Sequence, residues 1–153
     1  MQTTWDGVPV ADENPRGCSI VVWRGSRRQP EFLILHRRAA GPFAFEGDWA
    51  WTPPAGSRQP GEDISTTVRR ELLEETGLQL DCELTTLGTD EWLVYLAEAP
   101  SDAEVVLDAE HDRLLWLPSS EAAERCLPVQ VGAAILAAER LIRRSEPRNV
   151  GEG

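Results

Sequence analysis

At 153 residues, the chain is long enough for one domain with a substantial core, and its 41% hydrophobic content agrees with a globular protein. Fifteen cations, all arginine, stand against 26 anions for a net charge of -11, a balance that repels polymeric nucleic acid and anionic membranes. No apolar run approaches a membrane span, and the opening MQTTWDGVPV has neither the basic nor the apolar region of a signal peptide, so we expect a soluble, cytoplasmic protein.

Residues 1–16 are polar and aperiodic and read as an extension that covers the domain edge or frays. Residues 17–23, GCSIVVW, have the apolar continuity of a buried strand. After the turn GSRRQP, residues 31–38 give a second strand, and the two predict a hairpin. The segment AAGPFAFEGD reads as a loop with exposed Phe43 and Phe45. Then Trp49, Trp51 and Pro53 alternate in a short strand, WAWTPP, that runs into Gly56. Residues 63–76 have helical length with no Pro or Gly inside, and Gly77 stands where a helix ends on a left-handed residue.

Beyond it, residues 83–87 and 92–97 read as strands around a GTDE turn, and 113–117, RLLWL, as another. Ser119 and Ser120 offer N-caps for a short helix over SSEAAERC. Pro128 opens the last helix, whose face is predicted from Val131, Ile135, Leu136, Ala138, Leu141 and Ile142. The interleaving of strands and helices predicts an α/β layered fold with a mixed sheet. One domain is expected over 17–145, with a flexible tail at 146–153. Cys18, Cys82 and Cys126 are odd in number and widely separated, so they read as reduced packing thiols, not a disulfide frame or a zinc site.

The stretch 56–78, GSRQPGEDISTTVRRELLEETGL, carries the chemistry. On its helix Glu71, Glu74 and Glu75 fall at i, i+3 and i+4 and leave the same side, beside an apolar stripe of Ile64, Val68 and Leu72. Like charges at this spacing repel by a few tenths of a kcal/mol per pair, on the order of 0.2–0.5. Crowding them favours a compensating hard cation such as Mg²⁺, which takes oxygen ligands and binds through one or two carboxylates plus substrate phosphates. A solvated acidic face is the bland reading of an isolated E-x-x-E-E. Here Gly56, Glu62, Arg70, Glu71, Glu74, Glu75, Gly77 and the aliphatic Leu72 and Leu78 reproduce the pattern G-x5-E-x7-R-E-U-x-E-E-x-G-U in full. Seven fixed identities arise by chance at roughly 10⁻⁸ per starting position. The chain thus resembles the Nudix hydrolases.

That resemblance implies a mixed sheet sandwiched between helices, an α/β/α sandwich, for nearly the whole chain. It also implies hydrolysis, with Mg²⁺ or Mn²⁺, of a nucleoside diphosphate linked to another moiety. By position Glu74 and Glu75 resemble the metal-binding pair, Glu71 a metal ligand or general base, and Gly56 a ligand through its carbonyl. Arg70 resembles the residue that ion-pairs the glutamates, and Glu62 the one that braces the loop. A further loop acid is expected to assist: Glu110, with Glu91 and Asp108 as rivals. His111 is either a proton shuttle or a structural hydrogen-bonding residue. The resemblance is compatible with a homodimer.

For the substrate, Arg37 and Arg38 end a strand heading toward the site and are either phosphate contacts or surface arginines. Among Phe43, Phe45, Trp49, Trp51 and Trp92 are candidate base-stacking rings. Alternation in WAWTPP leaves at most one of Trp49 and Trp51 free, and Trp51 is the candidate for substrate contact. Tyr95, seventeen residues past Leu78, resembles a mark of the diadenosine polyphosphate subgroup, so it joins the substrate candidates. No Pro lies between Leu78 and Pro100 to suggest ADP-ribose. The expected substrate is thus a small nucleotide, a dinucleoside polyphosphate or nucleoside triphosphate. The alternative is a non-catalytic nucleotide-binding or regulatory Nudix module. A Ser or Cys hydrolase has only His36 and His111 to draw on and no G-x-S-x-G elbow.

Overall fold

The structure is a computed structural model that describes residues 3–4, 7–39 and 45–145. Phe43 lies outside the described residues, as does the tail from 146 onward. Ten elements follow in chain order: β1 (Gly17–Gly25), β2 (Pro30–Arg37), β3 (Trp51–Thr52), β4 (Ala55–Ser57), α1 (Ile64–Thr76), β5 (Cys82–Leu84), β6 (Trp92–Glu98), β7 (His111–Pro118), α2 (Ser119–Arg125) and α3 (Val129–Arg144).

The strands form one mixed sheet along the path β3-β2-β1-β6-β5, with β4 paired to β1 and β7 to β2. β1 runs parallel to β6 and antiparallel to β2 and β4. A parallel pair needs a crossover, and α1 lies in the connection from β4 to β6. The period-two alternation of β1 and β2 then divides the core. Cys18, Ile20, Val22, Leu33 and Leu35 meet Val68 and Leu72 of α1 on one face. Val21, Trp23, Phe32 and Ile34 meet Ala122 of α2 and Ile135, Ala138 and Ile142 of α3 on the other.

Several expectations shift at this level. WAWTPP is not one strand: Trp49 has φ 68°, β3 spans two residues, and Pro53 and Pro54 separate it from β4. Proline has no N–H to give to a ladder, so the chain turns there and re-pairs with β1. β5 ends at Leu84, short of the expected 87. The Thr85 hydroxyl donates to Val94 O at 2.7 Å and accepts the Leu87 N–H at 3.1 Å, so a side chain takes over from the ladder. Neither Ser119 nor Ser120 caps α2. Pro118 holds that position without a side-chain bond, and the Ser119 hydroxyl donates to the Glu139 carboxylate instead. Leu136 is exposed, since Gly132, Ile135, Ala138 and Ile142 set the buried face of α3. α1 stops where expected, with Gly77 left-handed at φ 73° and its N–H bonded to Leu73 O.

Candidate active site

α1 presents its acids unequally. Glu75 is 6% exposed, and a single backbone donor, Ala55 N–H, reaches its Oε2 at 3.0 Å. Burial, first, and then the charges of Glu71, Asp108 and Glu110 hold its pKa well above the ordinary carboxylate range, against the Ala55 bond. Burial likewise raises Glu71 to about 7, with Arg70 opposing. Glu74 sits on the outer flank with its side chain half exposed.

Arg70 organises the cluster. Its guanidinium reaches both Glu62 oxygens at 2.9 Å, Glu71 Oε1 at 2.7 Å, Glu74 Oε2 at 3.5 Å and Ser57 O at 3.1 Å. Glu62 also accepts from Gln59 N–H and the Thr67 hydroxyl, so the loop before α1 is tied to the helix through one carboxylate. The Arg70 bond, against partial burial, draws Glu62 down to about 2.

Gly56 is required where it stands. A Cβ there would fall 2.0 Å from Glu71 Cδ, so only bare backbone lets the carboxylate lie against β4. Its carbonyl oxygen lies 2.6 Å from where a Cβ on Gly17 would stand.

The loop before β7 brings Asp108 and Glu110 to the same cleft, and the first residue of β7, His111, joins them there. His111 is buried; its Nδ1 is 2.7 Å from Asp108 Oδ1 and its Nε2 3.7 Å from Glu75 Oε1. Glu91 pairs with Arg16 at 3.6 Å and does not line the cleft, which leaves Glu110 and Asp108 as the loop acids near the cluster.

The donor set suits a hard divalent cation. Glu75, buried, and Glu71, half-buried, stand with more negative charge around them than Arg70 balances, and their carboxylate oxygens are hard ligands. No group of three or more His, Cys, Asp or Glu among the described residues gathers into a cage of its own.

The cleft has a volume of about 820 Å³, and its lining combines the acids Glu71, Glu74, Glu75, Asp108 and Glu110 with the apolar Trp49, Trp92, Leu87, Val131 and Ala134. Trp51 corrects the expectation for the substrate-contacting ring. It is 8% exposed, edge-on to His36 at 4.8 Å between centroids, and packed in the α2/α3 core. Trp49, 49% exposed, is the ring in the cleft. Its positive φ turns the chain between the two tryptophans, which simple alternation misses. Tyr95 is also core, packed with the α1 face; on β6 it is Trp92 and Val94 that line the cleft. Burial, with lesser help from Cys18, Asp63 and Cys82, raises the Tyr95 pKa.

Arg37 reaches the cleft with its guanidinium 5.5 Å from the Phe45 ring. Arg38 does not line it: its Nε donates to Ala109 O and its backbone N–H to Glu110 O, so it holds the loop that carries Glu110. His36 is fully buried between Asp112 and the Phe45 carbonyl, where it reaches no substrate. Residues without any local sequence signal, among them Val8, Pro9, Gln130 and Ala134, complete the lining.

The model of the NUDIX domain matches residues 13–138, most of the chain. The chain belongs to the NUDIX domain family. It is a Nudix-type nucleotide pyrophosphohydrolase. The bis(5'-nucleosyl)-tetraphosphatase [asymmetrical] of Rattus norvegicus is 29% identical over 128 residues, covering 71% of this chain and 82% of that one. An RNA pyrophosphohydrolase of Bradyrhizobium sp. is 35% identical over 63 residues, 41% of this chain and 36% of its own. Among solved structures, a C. elegans Ap4A hydrolase binary complex superposes with a TM-score of 0.65 at 22% identity, over 82% of this chain and 96% of that one. The Nudix fold is thus an α/β mixed sheet between helices here. No helix among the described residues is long and apolar enough to cross a membrane.

Proposed function

We propose that this Nudix hydrolase cleaves a pyrophosphate linkage in a dinucleoside polyphosphate or a nucleoside triphosphate, with Mg²⁺ or Mn²⁺ as cofactor. The observation that carries the reading is the pair Glu71 and Glu75, a half-buried and a buried carboxylate crowded by charge in a cleft that also holds exposed Trp49. A polyphosphate bearing a base offers a group to each. The likeness to the rat tetraphosphatase, over most of both chains, supports a dinucleoside polyphosphate. The net charge of -11 disfavours an RNA polymer despite the shorter likeness to an RNA pyrophosphohydrolase.

Glu71, Glu74 and Glu75, with Glu110 and the Gly56 carbonyl, are the proposed holders of the cation. When bound, the cation supplies Lewis-acid stabilisation of the charge that builds on the phosphoryl oxygens. Glu71 is proposed either as one of those cation ligands or as the base that takes the proton of an attacking water. Arg70 limits the rotation of Glu71 and keeps its carboxylate against β4. Arg37, exposed at the cleft, is placed to meet the outer phosphates, and Trp49 to stack on a base.

The test is release of phosphate or pyrophosphate from a panel with Mg²⁺ and again after chelation. The panel holds diadenosine tetraphosphate, ATP, ADP-ribose, a sugar nucleotide, 8-oxo-dGTP and an RNA bearing a 5'-triphosphate. Fastest metal-dependent turnover on diadenosine tetraphosphate or a triphosphate is expected. Turnover that survives chelation, or none on any nucleotide, overturns the proposal.

A further inference from the structure

We propose that His36 is a positioning residue: with a proton on each ring nitrogen it ties segment 45–50 to β7 and so holds Arg37 and Trp49 in the cleft. This rests on the nucleotide reading above, in which those two residues meet the substrate. The observation is the pair of partners that the imidazole faces. Its Nδ1 is 2.7 Å from Asp112 Oδ1 and its Nε2 is 2.9 Å from the Phe45 carbonyl oxygen, in a side chain with no exposed surface. A carboxylate and a carbonyl offer only lone pairs, so both ring nitrogens donate. A neutral imidazole has a single N–H and would set a bare nitrogen against one of the two oxygens.

Asp112 supplies the negative charge beside the ring. It lies against Nδ1 and 3.5 Å from Arg113 Nε, so one carboxylate serves two cations. Arg113 Nη2 is 3.1 Å from Nδ1 and 3.0 Å from Nε2. The in-plane directions of the two nitrogens diverge, so an atom nearly equidistant from both stands over the ring face and takes the place of neither acceptor. Trp51 of β3 meets the ring edge-on and adds no charge, and Arg125 of α2 lies 5.9 Å from the Trp51 centroid.

His36 and Arg37 are neighbours on β2, and both engage Phe45. His36 binds its carbonyl, and the Arg37 guanidinium lies 5.5 Å from its ring, which packs against the α2/α3 core. Farther along the segment, Trp49 N–H donates to Leu127 O at 2.6 Å, and Ala50 O accepts the Arg37 N–H at 2.9 Å. Trp49 is half exposed, so its ring keeps its place through this backbone more than through packing. Glu71 and Glu75 stand on α1, outside the tie. Loss of the Phe45 bond should therefore weaken substrate binding and leave the chemical step alone.

Asparagine and glutamine divide the two bonds in an experiment. The Asn amide nitrogen falls near the place of Nδ1 and the Gln amide nitrogen near that of Nε2. His36→Asn thus keeps the Asp112 bond and drops Phe45, while His36→Gln keeps Phe45 and drops Asp112, and both remove the same ring from the core. In His36→Asn, KM for diadenosine tetraphosphate and Kd for a methylene-bridged ATP analogue should rise about tenfold, the loss of one charge-assisted hydrogen bond, with kcat within about twofold. In His36→Gln all three should stay within about twofold of wild type. In an Arg37→Ala, Trp49→Ala background, His36→Asn should add less than about twofold. Nitrogen-15 NMR of wild type at neutral pH should show both His36 ring nitrogens protonated; the chain has two histidines, and the signal lost in His36→Gln identifies the residue. Equal effects in the two variants, an additive effect in the Arg37 and Trp49 background, or a bare His36 nitrogen overturns the proposal. Should His36→Asn not fold, Phe45→Leu, which leaves the carbonyl and removes the ring beside Arg37, must raise KM and Kd or the proposal falls. If wild type binds the analogue but hydrolyses nothing, the hydrolase reading fails while the rise in Kd still upholds the tie. If wild type does not bind the analogue, the tie falls as well.

Discussion

At the level of single residues, position in the box and burial together decide what each acid does. Glu71 and Glu75 are surrounded by more negative charge than one arginine offsets, so removing a charge there relieves repulsion. Glu75→Gln and Glu71→Gln are expected to lower turnover by on the order of 10² to 10⁴ while the fold holds, as checked by steady-state rate and circular dichroism. Near wild-type rates in both would remove them from the chemistry. The two tryptophans separate in the opposite way. Trp51→Ala opens the core around His36 and should cost about 3–5 kcal/mol, read as a lowered denaturant midpoint. Trp49→Ala should leave that midpoint nearly unchanged and raise KM, because its ring is exposed in the cleft.

At the level of elements, the loop before α1 and the helix act as one unit because Glu62 joins them. Its folded pKa is about 2, below the ordinary 4.5, so the stabilisation it contributes is present above 4.5 and is lost as pH falls through 2. Glu62→Gln should therefore destabilise by about 1.5–3 kcal/mol at neutral pH, leaving Arg70 short of its main partner. The difference from wild type should shrink toward pH 2, as followed by thermal melts across that range. A constant difference at all pH values would mean that packing, not charge, holds the loop. The helix itself was legible from spacing alone: apolar residues at four-residue intervals, no breaker inside, and Gly77 at its end. WAWTPP was misread because alternation assumes extended backbone, and Trp49 departs from it.

For the whole molecule, carboxylate burial in the cleft trades stability for a site. In the metal-free protein, Glu71 has a folded pKa of about 7 against an ordinary 4.5, and Glu75 moves in the same direction. A raised acid contributes stability that is fully present below 4.5 and is lost as pH rises through 7. The metal-free protein should accordingly melt at a lower temperature at pH 8 than at pH 5.5. Millimolar Mg²⁺ at pH 8 should raise Tm, and chelation should reverse the gain. A melting temperature insensitive to Mg²⁺ at pH 8 would count against a cation at this cluster.

What the sequence determined on its own is the box and the helix that carries it, which depend on residues within about two dozen positions of one another, and the acidic balance, which is a sum over the chain that no folding alters. The tertiary structure decided the rest. The register of β1 against β2, β4 and β6 placed Tyr95 behind the sheet and Trp92 in the cleft. Long-range packing buried Glu75 and brought Asp108, His111, Val8 and α3 to the same cavity. Those contacts join segments remote in the chain, and no spacing rule reaches across such distances. Only the folded sheet sets which residues from its two ends of the sequence become neighbours.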